Sequence, residues 1–187
     1  MKIGSYTFEE YVEKVRVFHG YPAPGVVLGG IMVDMARRNM PEDGLFDAIS
    51  ETDKCLPDAI QLLTPCTIGN GWMRIINTGR YALCLYEKHS GEGVRVFIDP
   101  KKLKGFPELN NWFFSLKPRK EINKERLMAE IKNSGTEILS IRHITVDIKS
   151  LPSKEDYSYA ICRICKESAL VNDDGICLAC QGKAYIS

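Results

Sequence analysis

The sequence lacks the long apolar segments of membrane proteins and the charge imbalance of electrostatic nucleic-acid binders. Its longest apolar run, GVVLGGIMV, is far shorter than the roughly 20 residues of a membrane-spanning helix. The stretch MKIGSYTFEEYVEKV carries charges throughout and has no apolar core of a signal peptide, so we expect a cytoplasmic protein. The net charge of +1 gives the whole molecule little attraction for nucleic acid.

Cysteine, by contrast, is plentiful. The chain has seven cysteines, an odd number that excludes complete disulfide pairing, and a reducing compartment favours metal ligation. Four follow the pattern C-x2-C-x11-C-x2-C, at Cys162, Cys165, Cys177 and Cys180. Two CxxC turns supply the tetrahedral thiolates of a structural zinc site, and a segment with so few apolar residues needs zinc to fold. Iron, an iron–sulfur cluster or redox chemistry are the alternatives.

Four thiolates leave no open coordination position, so we expect this tail to stabilise structure or to form an interface rather than to catalyse. Its own charges balance, with three Lys/Arg against three Asp/Glu. Residues 101–160 are more basic, with 12 Lys/Arg against 8 Asp/Glu. A joint surface of this segment and the tail is the alternative, nucleic-acid-binding interpretation.

Hydrophobic periodicity predicts an α+β fold without a regular βαβ rhythm. One helix is predicted in TFEEYVEKVRVF, where Thr7 and Glu10 form a capping box, and a second begins near Pro24 and runs through GVVLGGIMVDMARRNM. A short helix is predicted in LPDAIQLLTPC and another in NKERLMAEIKNSG, with Asn123 as its N-cap. Strands are predicted in LFDAISETD, in TEILSIRHITVDI, and in three segments joined by tight turns, WMRIINTG, RYALCLYEK and GVRVFIDP. HSGEG is predicted to be the turn of a hairpin.

This pattern predicts three parts of the chain. Residues 1–150 form a core domain of helices and a mainly antiparallel sheet, residues 151–160 form a linker, and residues 161–187 form a zinc-finger-like module with four cysteine ligands.

A second candidate site lies in the first half of the chain. His19, Cys55 and Cys66 would suit zinc or another borderline metal with an open position. The helix between the two cysteines would separate them by about 15 Å, so spacing alone does not bring them together. Gly25 and Gly29 are unusual in a helix and predict close approach of another helix or of an anionic ligand. Cysteines that simply fill the core are the alternative.

Three motifs resemble those of the FmdE family, which takes its name from a component of formylmethanofuran dehydrogenase. FHGYPAPGVVLGG resembles FHGHxCPGxxxG, and CLPDAIQLLTPCTIGNG resembles a signature of a cysteine, then DAIQ, then TxCTxGxG. The segment INTGRYALCLY fits the region that follows, and a C-terminal CxxC…CxxC module is common in the family. The resemblance covers residues 8–100 and 160–182.

The resemblance implies an α+β core with a zinc-finger-like appendage, often in an intertwined dimer, and a cavity where the signature residues cluster. His19, Cys55 and Cys66 match the family's motif, whereas Tyr21 and Ala23 replace its second histidine and its cysteine. The candidate ligand-binding residues at this cavity are Tyr21, Gly25 and Asn70.

Three functions are consistent with these patterns. The first is a homodimeric accessory protein that binds zinc in its tail and a metal or small ligand in its core, and that serves a molybdenum or tungsten enzyme or its cofactor. The second is a regulator that binds nucleic acid through residues 101–160 and the tail. The third is an enzyme with Cys55 or Cys66 as nucleophile and His19 as base. The sequence leaves catalytic activity open.

Overall fold

The computed structural model describes residues 1–41, 44–151 and 158–183. The chain divides into two compact units, Met1–Val146 and Asp147–Ser187. Most of the predicted linker, at 152–157, and the end of the predicted module, at 184–187, lie outside the described residues. In the described ranges no helix combines the length and the apolar composition that a membrane span requires.

The first unit has the predicted α+β composition, with helices and strands mixed along the chain. Its elements are β1 (Lys2–Ile3), β2 (Tyr6–Thr7), α1 (Phe8–His19), α2 (Pro24–Arg37), β3 (Phe46–Ser50), α3 (Leu56–Leu63), β4 (Met73–Ile75), β5 (Ala82–Glu87), β6 (Glu92–Ile98), α4 (Pro107–Phe113), α5 (Lys124–Ser134) and β7 (Leu139–Thr145). Short 3-10 turns at Lys102–Gly105 and Arg119–Glu121 lie on either side of α4.

The principal sheet has the strand order β4-β3-β5-β6-β7. Its pairings are antiparallel except for β3 with β4, which are parallel because α3 returns the chain to the starting end of β3. The hairpin predicted at HSGEG is confirmed between β5 and β6. The tight turn predicted between the strands of WMRIINTG and RYALCLYEK is wrong, because β3 separates β4 from β5 in the sheet.

The predicted helix starts are confirmed by their caps. The Thr7 hydroxyl accepts a hydrogen bond from the Glu10 amide at 3.2 Å, and the Glu10 carboxylate accepts one from the Thr7 amide at 2.7 Å. At the start of α5, the Asn123 side chain accepts a hydrogen bond from the Arg126 amide at 2.9 Å. These bonds satisfy amide groups that have no partner inside their helix. The sequence did not predict α4.

Helix α2 forms the centre of the first unit. Its residues from Gly25 to Val33 are all buried, and it packs against α3, α5 and the strands β5 and β6. Its glycines permit this packing, since a methyl group at Gly29 would lie 2.7 Å from the Ala59 Cβ. A methyl group at Gly30 would overlap the buried ring of Tyr11. The close approach predicted for Gly29 is therefore to a helix, not to a ligand.

The second unit is small and has few buried residues. It contains a 3-10 turn at Ile148–Ser150, an antiparallel ribbon of β8 (Ser158–Ile161) and β9 (Ser168–Val171), and a helical turn at Ala179–Lys183. Its buried cluster consists of Cys162, Val171 and Cys177, with Ala169 and Cys180 packed against them. A core in which most side chains carry thiols depends on the chemistry of those thiols.

Candidate functional site

The four tail cysteines converge on one point. Their Sγ atoms all lie within 4.8 Å of one another, and the Sγ atoms of Cys165 and Cys177 are 3.8 Å apart. Sulfurs placed about 2.3 Å from a central zinc ion at the corners of a tetrahedron are about 3.8 Å apart. The Cys165–Cys177 distance therefore equals that of a tetrahedral site, and the four sulfurs are close enough together to surround one ion.

Local backbone geometry produces this convergence. After β8 the chain turns at Cys162–Cys165, and Lys166 takes a left-handed conformation with φ of 65° before β9 begins. The second pair follows the turn after β9, where Cys177 forms a bridge with Val171. The Cys177 amide then donates a hydrogen bond to the Cys162 sulfur at 3.4 Å. Amide donors of this kind stabilise a thiolate.

The four thiols differ in their readiness to ionise. Hydrogen bonds from the backbone amides of Cys177 and Cys165 lower the pKa of Cys162 to about 6. The hydrogen bond with Cys177, with burial and the other two sulfurs, raises the pKa of Cys180 to about 12. One thiolate forms readily, and further negative charge at the same point is unfavourable unless a cation balances it. The cluster can therefore hold a metal ion.

His19 and Asp58 form a pair in the first unit. His19 is the last residue of α1, Asp58 lies in the first turn of α3, and the Nδ1 and Oδ2 atoms are 2.5 Å apart. Both side chains are mostly buried, and the imidazole also lies 5.0 Å from the ring of Tyr21. A carboxylate on one ring nitrogen fixes the orientation of the imidazole and leaves the other nitrogen for a second partner.

Cys55 and Cys66 lie at opposite ends of the parallel strands. Cys55 follows the end of β3, whereas Cys66 precedes β4 and its Sγ contacts the carbonyl oxygen of Phe46, at the start of β3, at 3.4 Å. Five strand residues span about 16 Å, so the crossover that makes the strands parallel keeps the two thiols apart. Among the described residues, potential ligand side chains form a group of three or more in the tail, not at His19, Cys55 and Cys66.

The core thiols are held in their neutral form. Burial raises the pKa of Cys55, and it raises the pKa of Cys66 to about 11 and that of Cys84 to about 12. A nucleophilic cysteine needs a lowered pKa and an adjacent base. His19 is paired with Asp58 instead, so the geometry offers no support for a thiolate nucleophile in the core.

A cavity of about 410 Å³ opens beside Cys55. Most of its wall is apolar and comes from the start of α2 and from the part of the chain that runs from α4 into α5. The lining residues are Tyr21, Pro22, Ala23, Pro24, Gly25, Cys55, Trp112, Arg119, Ile122, Lys124, Leu127 and Met128. Behind this wall, the Tyr81 hydroxyl donates a hydrogen bond to the Gly25 carbonyl at 2.6 Å, and a methyl group at Gly25 would clash with the Cys55 sulfur.

Asn70 lies in the loop before β4 and organises that loop. Its side-chain oxygen accepts hydrogen bonds from the amides of Thr67 and Trp72, both at 3.0 Å, and its side-chain nitrogen donates one to the carbonyl of Pro65 at 2.7 Å. Asn70 is not one of the cavity-lining residues. Of the three candidate ligand-binding residues, the structure therefore brings Tyr21 and Gly25 together at the cavity.

Comparison with known proteins decides the family. The family described as "FmdE, Molybdenum formylmethanofuran dehydrogenase operon" matches residues 18–145, more than half of the chain. This chain belongs to the FmdE family.

A solved FmdE-like structure matches the whole chain. It is the crystal structure of a tungsten formylmethanofuran dehydrogenase FmdE-like protein from Syntrophus aciditrophicus, which is 47% identical and aligns over 100% of both chains with a TM-score of 0.88. A curated relative from Archaeoglobus fulgidus, described as a probable S-adenosyl-L-methionine-binding protein, is 27% identical over 92% of this chain. The match covers 52% of that relative, so this chain spans about half its length.

Part of the cavity of this FmdE-family chain is not predicted by the sequence. Trp112, Arg119 and Lys124 lie outside the two core signatures, in a segment whose sequence shows only a basic and aromatic composition. Pro107, the first residue of α4, and Pro118, before Arg119, mark breaks in the chain, but they do not indicate how the chain returns to α2. Only the tertiary fold shows that this segment closes the cavity beside Cys55.

Proposed function

We propose that this chain is a metal-binding accessory protein of the FmdE family, with a structural zinc ion in its tail and a small-ligand site in its core cavity. The observation that carries the proposal is the convergence of four Sγ atoms within 4.8 Å of one another. Cys162, Cys165, Cys177 and Cys180 would hold the ion. Four thiolates in a closed tetrahedron favour zinc and leave no position for substrate.

The composition of the tail supports a metal with a structural role. Apart from its cysteines, the buried cluster contains Val171, with Ala169 packed against it. So little apolar surface cannot offset the conformational entropy lost on folding. Binding of structural zinc contributes about 10–16 kcal/mol in comparable small modules.

Elemental analysis of protein purified without chelators tests this proposal. We expect one zinc ion per chain in the wild type and none at the tail of Cys165→Ala. The matched control is Cys84→Ala, which removes a buried thiol from β5 and should keep the zinc. Zinc-free wild-type protein with an intact tail would contradict the proposal.

In the core we propose a small organic ligand in preference to a second metal ion. His19, Cys55 and Cys66, the candidate core ligands, have separate neighbours, whereas Tyr21, Gly25 and Cys55 share one cavity. The name of the Archaeoglobus fulgidus relative supplies a first compound to test, S-adenosyl-L-methionine. Equilibrium dialysis with this compound should show one site per chain that is weakened by Tyr21→Ala and unchanged by Tyr159→Ala in the tail.

The proposed biological role is to serve a molybdenum or tungsten enzyme or the handling of its cofactor. The description of the family by its operon supports this role. Co-purification of tagged wild-type chain with the polypeptides of that enzyme tests it, and absence of any such polypeptide would count against it.

We also propose a homodimer, on the evidence of an exposed apolar face on the tail ribbon. Tyr159 and Leu170 are cross-strand partners there, and Tyr159 and Ile161 are 78% and 70% exposed. Apolar side chains grouped on a surface mark an interaction site. Light scattering should give a dimer for the wild type and a monomer for Ile161→Glu, with Ile68→Glu, an exposed core-loop position, as control.

A further inference from the structure

We propose that the core cavity binds a small organic molecule that places a flat apolar body against the aromatic wall and an anionic group, a carboxylate or a phosphate, at Arg119 and Lys124. This inference rests on the proposed small-ligand site and specifies the chemistry of its ligand.

The cavity has cations but no carboxylate among the described residues of its lining. Neither Arg119 nor Lys124 forms an ion pair in the described part of the chain. Asp58 lies near Cys55 and adds to the effect of burial in raising the pKa of its thiol. Its carboxylate is already paired with His19, with 2.5 Å between Oδ2 and Nδ1. Two cations at an apolar cavity without counter-charges are a complementary surface for an anionic group.

Helix ends add to the positive potential of the same cavity. Pro24 is the first residue of α2, Cys55 is the N-cap of α3, and Lys124 is the first residue of α5, and all three line the cavity. Neither α2 nor α3 has a side-chain hydrogen bond at its N-cap. The positive end of a helix dipole and free first-turn amides favour an anion, although these ends alone would not define a site.

The rest of the wall selects an apolar, flat ligand body. Tyr21 and Trp112 contribute aromatic surface, and Leu127 and Met128 contribute aliphatic surface. Aromatic rings with an adaptable methionine beside them accommodate planar unsaturated groups. A cavity of about 410 Å³ has the size of a small-molecule site rather than of a surface for a polymer.

A matched pair of fluorescent probes tests the inference on the full-length, zinc-loaded protein. Anilinonaphthalenesulfonate and N-phenylnaphthylamine share the same aromatic body, but only the first carries a charged group. We expect the wild type to bind the sulfonate about tenfold more tightly than the neutral probe, because two exposed cations at the cavity contribute together. Arg119→Gln/Lys124→Gln should abolish this preference while leaving binding of the neutral probe unchanged.

Two controls test whether the preference for the sulfonate probe arises at the cavity. Lys101→Gln/Lys104→Gln removes the same charge from exposed positions outside the cavity lining and should leave the preference intact. Bound sulfonate should also slow alkylation of Cys55, which lines the cavity, and leave the rate at buried Cys84 unchanged.

The outcomes separate this inference from the proposed function. Equal affinity for the two probes, or an equal loss in the Lys101/Lys104 variant, overturns the anion site while the cavity remains a small-ligand site. Absence of binding by either probe overturns both.

Discussion

Cysteine side chains have different roles in the tail and in the core of this protein. In the tail, the Sγ atoms of four cysteines lie within 4.8 Å of one another, and three of these cysteines, Cys162, Cys177 and Cys180, belong to the small buried cluster. In the core, Cys55 and Cys66 have different neighbours in a large apolar cluster, and Cys84 is buried separately in β5. The tail cluster can hold a cation, and our proposal makes its folding depend on one, whereas the core is stabilised by burial of its own side chains.

Chain topology decides whether cysteines that are close in sequence form a common site. Both CxxC pairs lie in tight turns at the ends of one short ribbon, so local geometry is enough to bring their sulfurs together. Cys55 and Cys66 are as close in sequence as Cys165 and Cys177, but a crossover helix and two parallel strands separate them.

The largest expected effect is the collapse of the tail on removal of zinc. A strong chelator should unfold the second unit and expose four reactive thiols, because binding of structural zinc contributes about 10 kcal/mol or more. Both tryptophans, Trp72 and Trp112, lie in the first unit, so their fluorescence should stay unchanged. Counting alkylated cysteines by mass spectrometry before and after chelation measures the effect. A simultaneous change in tryptophan fluorescence would contradict the expectation that the second unit unfolds while the first stays folded.

A substitution in the core should lower the stability of the first unit without affecting the tail. Gly30→Ala places a methyl group against the ring of buried Tyr11 and should destabilise the first unit by about 3 kcal/mol, because a packed core cannot expand without strain. Urea denaturation followed by tryptophan fluorescence measures the loss. Gly105→Ala is the matched control, since its added methyl group meets nothing within 4 Å. Zinc content should be unchanged in both variants.

The core should also depend on pH through Glu51. Its carboxylate accepts two hydrogen bonds from Arg95, at 2.5 and 2.8 Å, which together with Arg80 hold the pKa of Glu51 below its usual value. The stabilisation is present above the ordinary pKa of about 4.3 and is lost as the pH falls through the lowered folded-state value. Glu51→Gln should therefore cost about 2 kcal/mol at neutral pH and less in acid.

Urea denaturation of the core at several pH values measures this dependence. Glu137→Gln, an exposed position without an ion pair in the described ranges, should reproduce the wild-type profile. If Glu51→Gln retains the full acid sensitivity of the wild type, another group is responsible.

The smallest expected effect is on the zinc content of Cys66→Ala. Because Cys66 contacts the Phe46 carbonyl and not the other candidate ligands, we expect one zinc ion per chain with or without the substitution. Cys165→Ala provides the contrasting loss. A fall from two ions to one in Cys66→Ala would reveal a core metal site and would contradict the preference for a small ligand.

Local signals in the sequence predicted local structure well. The capping pair Thr7 and Glu10, the N-cap Asn123 and the proline at the start of α2 each mark a real helix boundary, because each acts within a few residues. The two CxxC pairs predicted the tail cluster for the same reason.

Features set by the tertiary fold were not predicted. The sequence did not indicate that β4 pairs in parallel with β3, that Asn70 is used within its own loop, or that Arg119 and Lys124 line the cavity. Each depends on contacts between residues distant in sequence, which periodicity and spacing do not encode. The family motifs contain Tyr21, Gly25 and Cys55, which line the cavity, but also Cys66 and Asn70, which do not, and they do not indicate which segment closes it.

Strand β7 limits how two copies of this chain can associate. It lies at the edge of the sheet, and Arg142 stands at its centre with exposed His143 beside it. In a symmetric antiparallel pairing of two such edges centred on Arg142, the two arginines would face each other, and like charges directly opposite one another repel. That register is therefore disfavoured for the pairing of two copies through β7.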